Sequence, residues 1–214
     1  MADDFLLTLH GALSNVSQET SLRLFQVSFG SWRQAQVLAL SGATSQVPPL
    51  LRHALEASGY SLLFSVNEDW ENLWWKRDES RNARDKFARE GMKEVRSAIG
   101  SMDDSLLSRY KSLVDHLIDF GARPNLYQVA RVSNIASGDD ALSTQVLAWL
   151  EERNSDIIMV SGAAIILSEL FELTWPAHFK AVRGSDLRAE TLGQMRLFMN
   201  LHHAETYAPK GNLG

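Results

Sequence analysis

The stretch from Ile157 to Leu167 is the most apolar in this sequence, broken only by Ser161 and Gly162 and closed by Ser168-Glu169. A bilayer span needs about 20 apolar residues in a row. The run therefore reads as a helix buried in a core rather than one that crosses a membrane. A helix with no polar face has to be covered by other elements, so the rest of the chain is read for elements that can cover it.

Amphipathic helices are what the rest supplies. Across residues 18–40, Leu22, Phe25, Phe29 and Trp32 recur at steps of three and four, which lines them on one helical face. Gly42-Ala43-Thr44-Ser45 punctuates the end of that helix. Pro48-Pro49 suits the first turn of the next, where a missing N–H costs nothing. That helix runs to about Val66 with Leu51, Leu55, Leu62 and Leu63 apolar, and Trp70, Trp74 and Trp75 mark a short helix after it. Ser101-Met102-Asp103-Asp104 has the pattern of a capping box opening a helix, followed by a stripe of Leu106, Tyr110, Leu113, Leu117 and Phe120. Gly121 can end that helix in a left-handed conformation, and Pro124 forbids its continuation. The apolar helix occupies 156–173 and breaks at Trp175-Pro176. A last amphipathic helix spans about 186–206, with Leu187, Leu192, Met195 and Phe198 apolar, and the tail 208–214 is expected to be mobile.

Residues 126–150 fit two readings. Short apolar groups flank Ser137-Gly138-Asp139-Asp140. That centre suits a hairpin turn, and it equally suits the cap of a helix from Asp140 to Arg153. The expectation is a mainly α fold: one domain over 1–214 with its core at about 5–206, a bundle of about six to eight helices, and a small β-hairpin near 126–150 as an option.

Composition removes several classes of function. Hydrophobic residues make up 45% and charged residues 22%, which excludes a disordered or collagen-like chain. The absence of Cys excludes disulfides, thiolate metal sites and cysteine nucleophiles. Met1-Ala2-Asp3-Asp4 is acidic where a secretory signal is basic, so a cytoplasmic protein without a membrane segment is expected. Residues 76–96 carry eight basic and five acidic side chains, while the chain as a whole has a charge of −5. Arg81–Asp85, Asp85–Arg89 and Lys86–Glu90 are spaced for ion pairs on one helix. A single aromatic, Phe87, lies among these charges in the sequence, so a solvated helix face is favoured over a nucleic-acid surface.

Catalytic signatures are sparse. GxGxxG, Walker, HExxH and GxSxG patterns do not occur. No His has a Glu three residues before it, as a di-iron bundle requires. His202 and His203 are adjacent and so point about 100° apart on a helix; neither a metal nor a cofactor is expected. His116 has Asp119 one turn later, in position to orient the imidazole as a general base needs.

One polar constellation stands out. Arg52 and Glu56 lie one turn apart among leucines, in Leu50-Leu51-Arg52-His53-Ala54-Leu55-Glu56. Trp74 and Arg77 follow on the next helix, and Ile118-Asp119-Phe120-Gly121-Ala122-Arg123-Pro124-Asn125 forms a third segment. Brought together, Arg52, Glu56, Arg77, Asp119 and Arg123, with Asn125 beside them and Tyr60 and Trp74 as lining, would make a partly buried ion network. Such a network either fixes helix register or binds an anion, since Arg forks bind phosphate bidentately.

In these segments the chain resembles a family of uncharacterised bacterial all-helical proteins, itself similar to HEPN-type abortive-infection domains. The family pattern has Leu-Leu-Arg-x-x-Leu-Glu, then Trp-x-x-Arg, then Ile-Asp-x-Gly-Ala-His-Pro-Asn. Here it is met by Leu50, Leu51, Arg52, Leu55, Glu56, Trp74, Arg77, Ile118, Asp119, Gly121, Ala122, Pro124 and Asn125. Arg123 stands where the pattern has His. The resemblance implies a β-hairpin after Asn125 and no established activity. HEPN ribonucleases carry an Arg with a His four to six residues further on; Arg109 with His116, and Arg196 with His202 or His203, come near that spacing. Leu197 departs from the polar residue that class places after its Arg.

The expected function is a non-catalytic binding or regulatory module. Six Trp and nine Phe suffice for a core plus an interface, so a homodimer is expected, with a further protein partner open. The alternatives are a metal-independent HEPN-like ribonuclease acting through Arg196 and His202 in phage defence or a toxin–antitoxin pair, and a sensor of a small anionic ligand.

Overall fold

The structure, a computed structural model, describes residues 19–119, 133–137, 142–146 and 154–175. It is mainly α. Five helices follow one another from the start of the described region: α1 (Glu19–Ser41), α2 (Val47–Val66), α3 (Glu68–Lys76), α4 (Arg81–Met102) and α5 (Asp104–Leu117). Two short strands, β1 (Ser133–Ser137) and β2 (Leu142–Val146), pair antiparallel with Ser133 opposite Val146 and Ser137 opposite Leu142. The last described helix is α6 (Asn154–Thr174). Residues 5–18 of the expected core, the expected helix at 186–206 and the tail at 208–214 lie outside the described residues.

Local chemistry sets the helix ends. Gly42 adopts φ 86° after α1, a left-handed conformation open to glycine, and a single 3-10 turn at Thr44–Gln46 leads into α2. The prolines sit in the first turn of α2. Asn67 caps α3 by accepting from Asp69 N, and Ser80 caps α4 by accepting from Ala83 N. The cap of α5 differs from the expected box. Asp103 is the N-cap, its carboxylate accepting from Leu106 N at 2.8 Å. Ser101 still belongs to α4, its hydroxyl donating to Ala98 O. A carboxylate outcompeted the hydroxyl two residues earlier. Of the three ion pairs expected on α4, Arg81 and Asp85 approach to 3.8 Å, and Arg89 turns instead to Glu90 at 4.0 Å.

The frame is an antiparallel α1–α2 pair held by serines. Ser21 Oγ donates to Ser61 O at 2.6 Å, Ser61 Oγ returns a bond to Ser21 O at 2.9 Å, and Ser28 Oγ donates to Ala54 O at 2.7 Å. The contacts recur seven residues apart on both helices, the period that keeps one seam facing its partner. Phe25 and Trp32 alternate with these serines and are fully buried.

α6 lies along this pair. Trp32 Nε1 donates to Val160 O at 3.0 Å, and the Phe25 ring packs tilted against that of Phe171 with centroids 4.0 Å apart, so α6 runs antiparallel to α1. Every α6 side chain described is buried or half-buried. The helix is longer than its apolar window suggested: the run continues through Ser168, whose hydroxyl is satisfied by Ala164 O at 2.6 Å. By length and composition α6 could cross a membrane, and 67% of that stretch is buried by the rest of the protein. Arg109 of α5 pairs with its Glu169 at 2.6 Å. α4 and α5 close the other side of α2. Leu51, Leu55, Val95, Ile99, Tyr110 and Leu117 join the same core as Phe25, Trp32 and Phe171.

Candidate functional site

Three of the expected polar residues share one stripe of α2. Arg52, Glu56 and Tyr60 follow at steps of four, so each stands about one turn above the last. Arg52 Nε donates to Glu56 Oε1 at 2.7 Å. The pair is partly buried, with side chains 20% and 27% exposed, so it keeps more of its Coulomb attraction than a surface pair would.

α2 can approach α4 and α5 closely here because it carries glycine. A Cβ at Gly59 would lie 2.5 Å from Val95 Cγ1 and 3.2 Å from Tyr110 Oη. The Tyr110 hydroxyl, fully buried, donates to Leu55 O at 3.3 Å. Tyr60 in turn lies over Gly91 of α4, with its ring 5.0 Å from that of Phe87. Burial raises the Tyr60 hydroxyl to about 12; Glu56 pushes the same way and Arg77 opposes it. Tyr110 is held protonated still more firmly by burial, helped by Glu56 and Tyr60 and opposed by Arg96 and Arg52.

The second expected pair also forms, as a stack rather than an ion pair. The Arg77 guanidinium lies 4.4 Å above the Trp74 ring and 5.8 Å from Phe87. Phe87 thus bridges Arg77 and Tyr60. The sequence places a single aromatic, Phe87, among the charges of residues 76–96, yet in space rings and cations are interleaved, since Lys86 also stands 5.8 Å over Trp70. Trp70 and Trp74 come from α3, and the turn between the helices brings α3 and its C-cap Arg77 against Phe87 and Lys86 of α4.

Arg96, which the sequence did not single out, completes the seam. Its Nε is buried with no hydrogen-bond partner among the described residues, and its charge acts on Tyr110 together with those of Glu56 and Arg52. A charged residue in the charge-rich repeat of α4 gives no sign in sequence that it turns inward.

The remaining candidates are placed differently. Asp119 sits in a π turn that follows α5, with its charge acting on His116. It is not among the charges that reach Tyr60 or Tyr110. Burial lowers the His116 pKa and Asp119 raises it, so the imidazole tends to the neutral form. Arg123, Asn125, Arg196, His202 and His203 lie outside the described residues.

The chemistry open to the seam follows from its groups. Three guanidinium groups face one carboxylate and two phenols held protonated. Among the described residues, no three His, Asp or Glu converge as a metal site would require. A serine–histidine contact does occur between α1 and α2, Ser31 Oγ to His53 Nδ1 at 2.9 Å. Ser31 is buried between the helices, and no carboxylate among the described residues orients His53. Comparison with protein-family models, curated proteins and solved structures found no match for this chain.

Proposed function

We propose that this protein is a non-catalytic helical binding module, and that the seam between α2, α4 and α5 receives a small anionic ligand. The observation that carries this reading is the buried Nε of Arg96, unpartnered among the described residues, whose charge acts on the same Tyr110 hydroxyl as the Arg52–Glu56 pair. A buried donor without an acceptor costs on the order of 1–3 kcal/mol, more when it is charged. An oxyanion relieves that cost by taking the side-on N–H edge of the guanidinium with two oxygens. The seam holds two more arginines than carboxylates, so its field favours an anion, and its buried phenols add no negative charge below pH 10.

Thermal stability in inorganic phosphate, compared with sodium chloride of equal ionic strength, tests the reading. A ligand that binds only the folded state raises the melting temperature with its concentration. Phosphate should stabilise the protein in the millimolar range, and Arg96→Gln should remove the shift while Arg89→Gln, on the exposed face of α4, keeps it. Equal responses to phosphate and chloride would end the proposal.

A further inference from the structure

We infer that the seam is built for an extended anion with at least two separated negative groups, one held at Arg96 and Arg52 and the other at Arg77. This rests on the binding reading above and specifies the class of ligand.

The argument is one of placement. Arg52 and Tyr60 are eight residues apart on α2, about 12 Å along the helix axis. Arg52 and Arg96 both act on Tyr110, and Arg96 stands on α4 next to Val95, which meets Gly59, nine residues beyond Phe87 or about 13 Å along that helix. The Tyr60 end meets Phe87, and Phe87 meets Arg77. The cations therefore stand at the two ends of one stripe, with Glu56 and Tyr60 between them. A compact anion reaches one end only. A longer one engages both while its middle passes the Tyr60 hydroxyl, a donor kept protonated up to high pH.

Arg77 is suited to receive a second group. Among the described residues it makes no carboxylate contact within ion-pair distance, and its guanidinium lies over the Trp74 ring at 4.4 Å. Stacking fixes the guanidinium orientation while leaving its N–H edge free, so little side-chain entropy is lost when an anion arrives. Arg84 Nε donates to Arg77 O at 3.2 Å, which fixes the backbone behind it. Glu56, between the two ends, repels a ligand whose charge is concentrated at the centre, and this also favours charge at the termini.

Linking two contacts in one ligand makes the second effectively intramolecular, with gains that reach 10²-fold and more when the span matches. Isothermal titration with inorganic phosphate and with hexane-1,6-diyl bisphosphate, whose two phosphates are joined by an uncharged chain, at matched ionic strength, reads this directly. The bisphosphate should bind at least about tenfold tighter than phosphate. Arg77→Gln should cut that ratio to about twofold, Arg96→Gln should weaken both ligands, and Arg89→Gln should leave the ratio as it is. If phosphate binds in an Arg96-dependent way but the ratio survives Arg77→Gln, or falls equally with Arg89→Gln, the two-ended site is wrong and the simpler anion site stands. If neither ligand binds, both fall. Circular dichroism of each variant separates lost binding from lost folding. Arg77 is half-exposed on the short helix pair, so its variant should fold.

Discussion

Gly59 and Gly30 are both mid-helix glycines, and their surroundings give them opposite consequences. Alanine is favoured over glycine inside a helix by about 1 kcal/mol. At Gly30 an added Cβ meets nothing within 4 Å, so Gly30→Ala should stabilise the fold by about 0.5–1 kcal/mol. At Gly59 the same Cβ would stand 2.5 Å from Val95 Cγ1, inside a site where Val95 is fully buried. Val95 cannot swing away without displacing Ile99 or Tyr110, its neighbours in the core. Overpacking of this kind costs about 1–3 kcal/mol, which exceeds the propensity gain, so Gly59→Ala should destabilise. Urea denaturation of the two variants settles the contrast; a Gly59→Ala protein as stable as the parent would show that the three helices do not converge there. The same residue explains why the seam is half-buried, because glycine lets Tyr110 reach the Leu55 carbonyl next to the Arg52–Glu56 pair.

At the scale of elements, the helices were legible because burial writes itself into apolar spacing. The stripes of Phe25, Phe29 and Trp32, of Leu51, Leu55 and Leu62, and of Leu106, Tyr110 and Leu117 all face the core. What apolar spacing cannot show is a seam made of polar residues. Ser21, Ser28, Ser58 and Ser61 are as buried as the aromatics, since a hydroxyl bonded to a helix carbonyl carries no unmet donor into the core. For the same reason the Arg52–Glu56 pair was readable and Arg96 was not: the pair is local along one helix, whereas the burial of Arg96 depends on how α4 meets α2 and α5. The cap at Asp103 was misassigned to Ser101 because both residue types cap, and only the structure shows where the previous helix lets go. The serine seam carries its own test. Ser28→Ala loses one bond to Ala54 O and should cost about 0.5–1.5 kcal/mol. Ser28→Leu adds apolar surface yet should cost more, about 1–3 kcal/mol, because it forces α1 and α2 apart. If leucine were tolerated better than alanine in thermal melts, the close approach of the two helices would be wrong.

For the whole molecule, the two phenols tie the core to the candidate site, and alkaline pH is where that tie becomes measurable. Tyr110 is fully buried where α2, α4 and α5 meet, and Tyr60 lies at the edge of the same junction. Both have hydroxyl pKa values raised above the ordinary 10.0, Tyr60 to about 12 and Tyr110 further still. The folded state therefore holds protons that the unfolded chain releases above pH 10, so stability is intact below that pH and falls as pH rises through it. The unfolded chain gains a phenolate solvated by water, while the folded one would have to place a phenolate beside Glu56 in a dry junction. Tyr110→Phe removes the larger of the two effects. At neutral pH it should cost about 1 kcal/mol, the worth of a single long hydrogen bond to Leu55 O. Between pH 10 and 12 its stability should decline less steeply than that of the parent. Arg77→Gln should act the other way on Tyr60, lifting its titration above about 12 because the opposing cation is gone. Urea melts across that range, with tyrosinate absorbance as the second signal, read both effects; parallel curves for parent and Tyr110→Phe would mean that the junction is open to water and that Tyr110 does not couple core and seam.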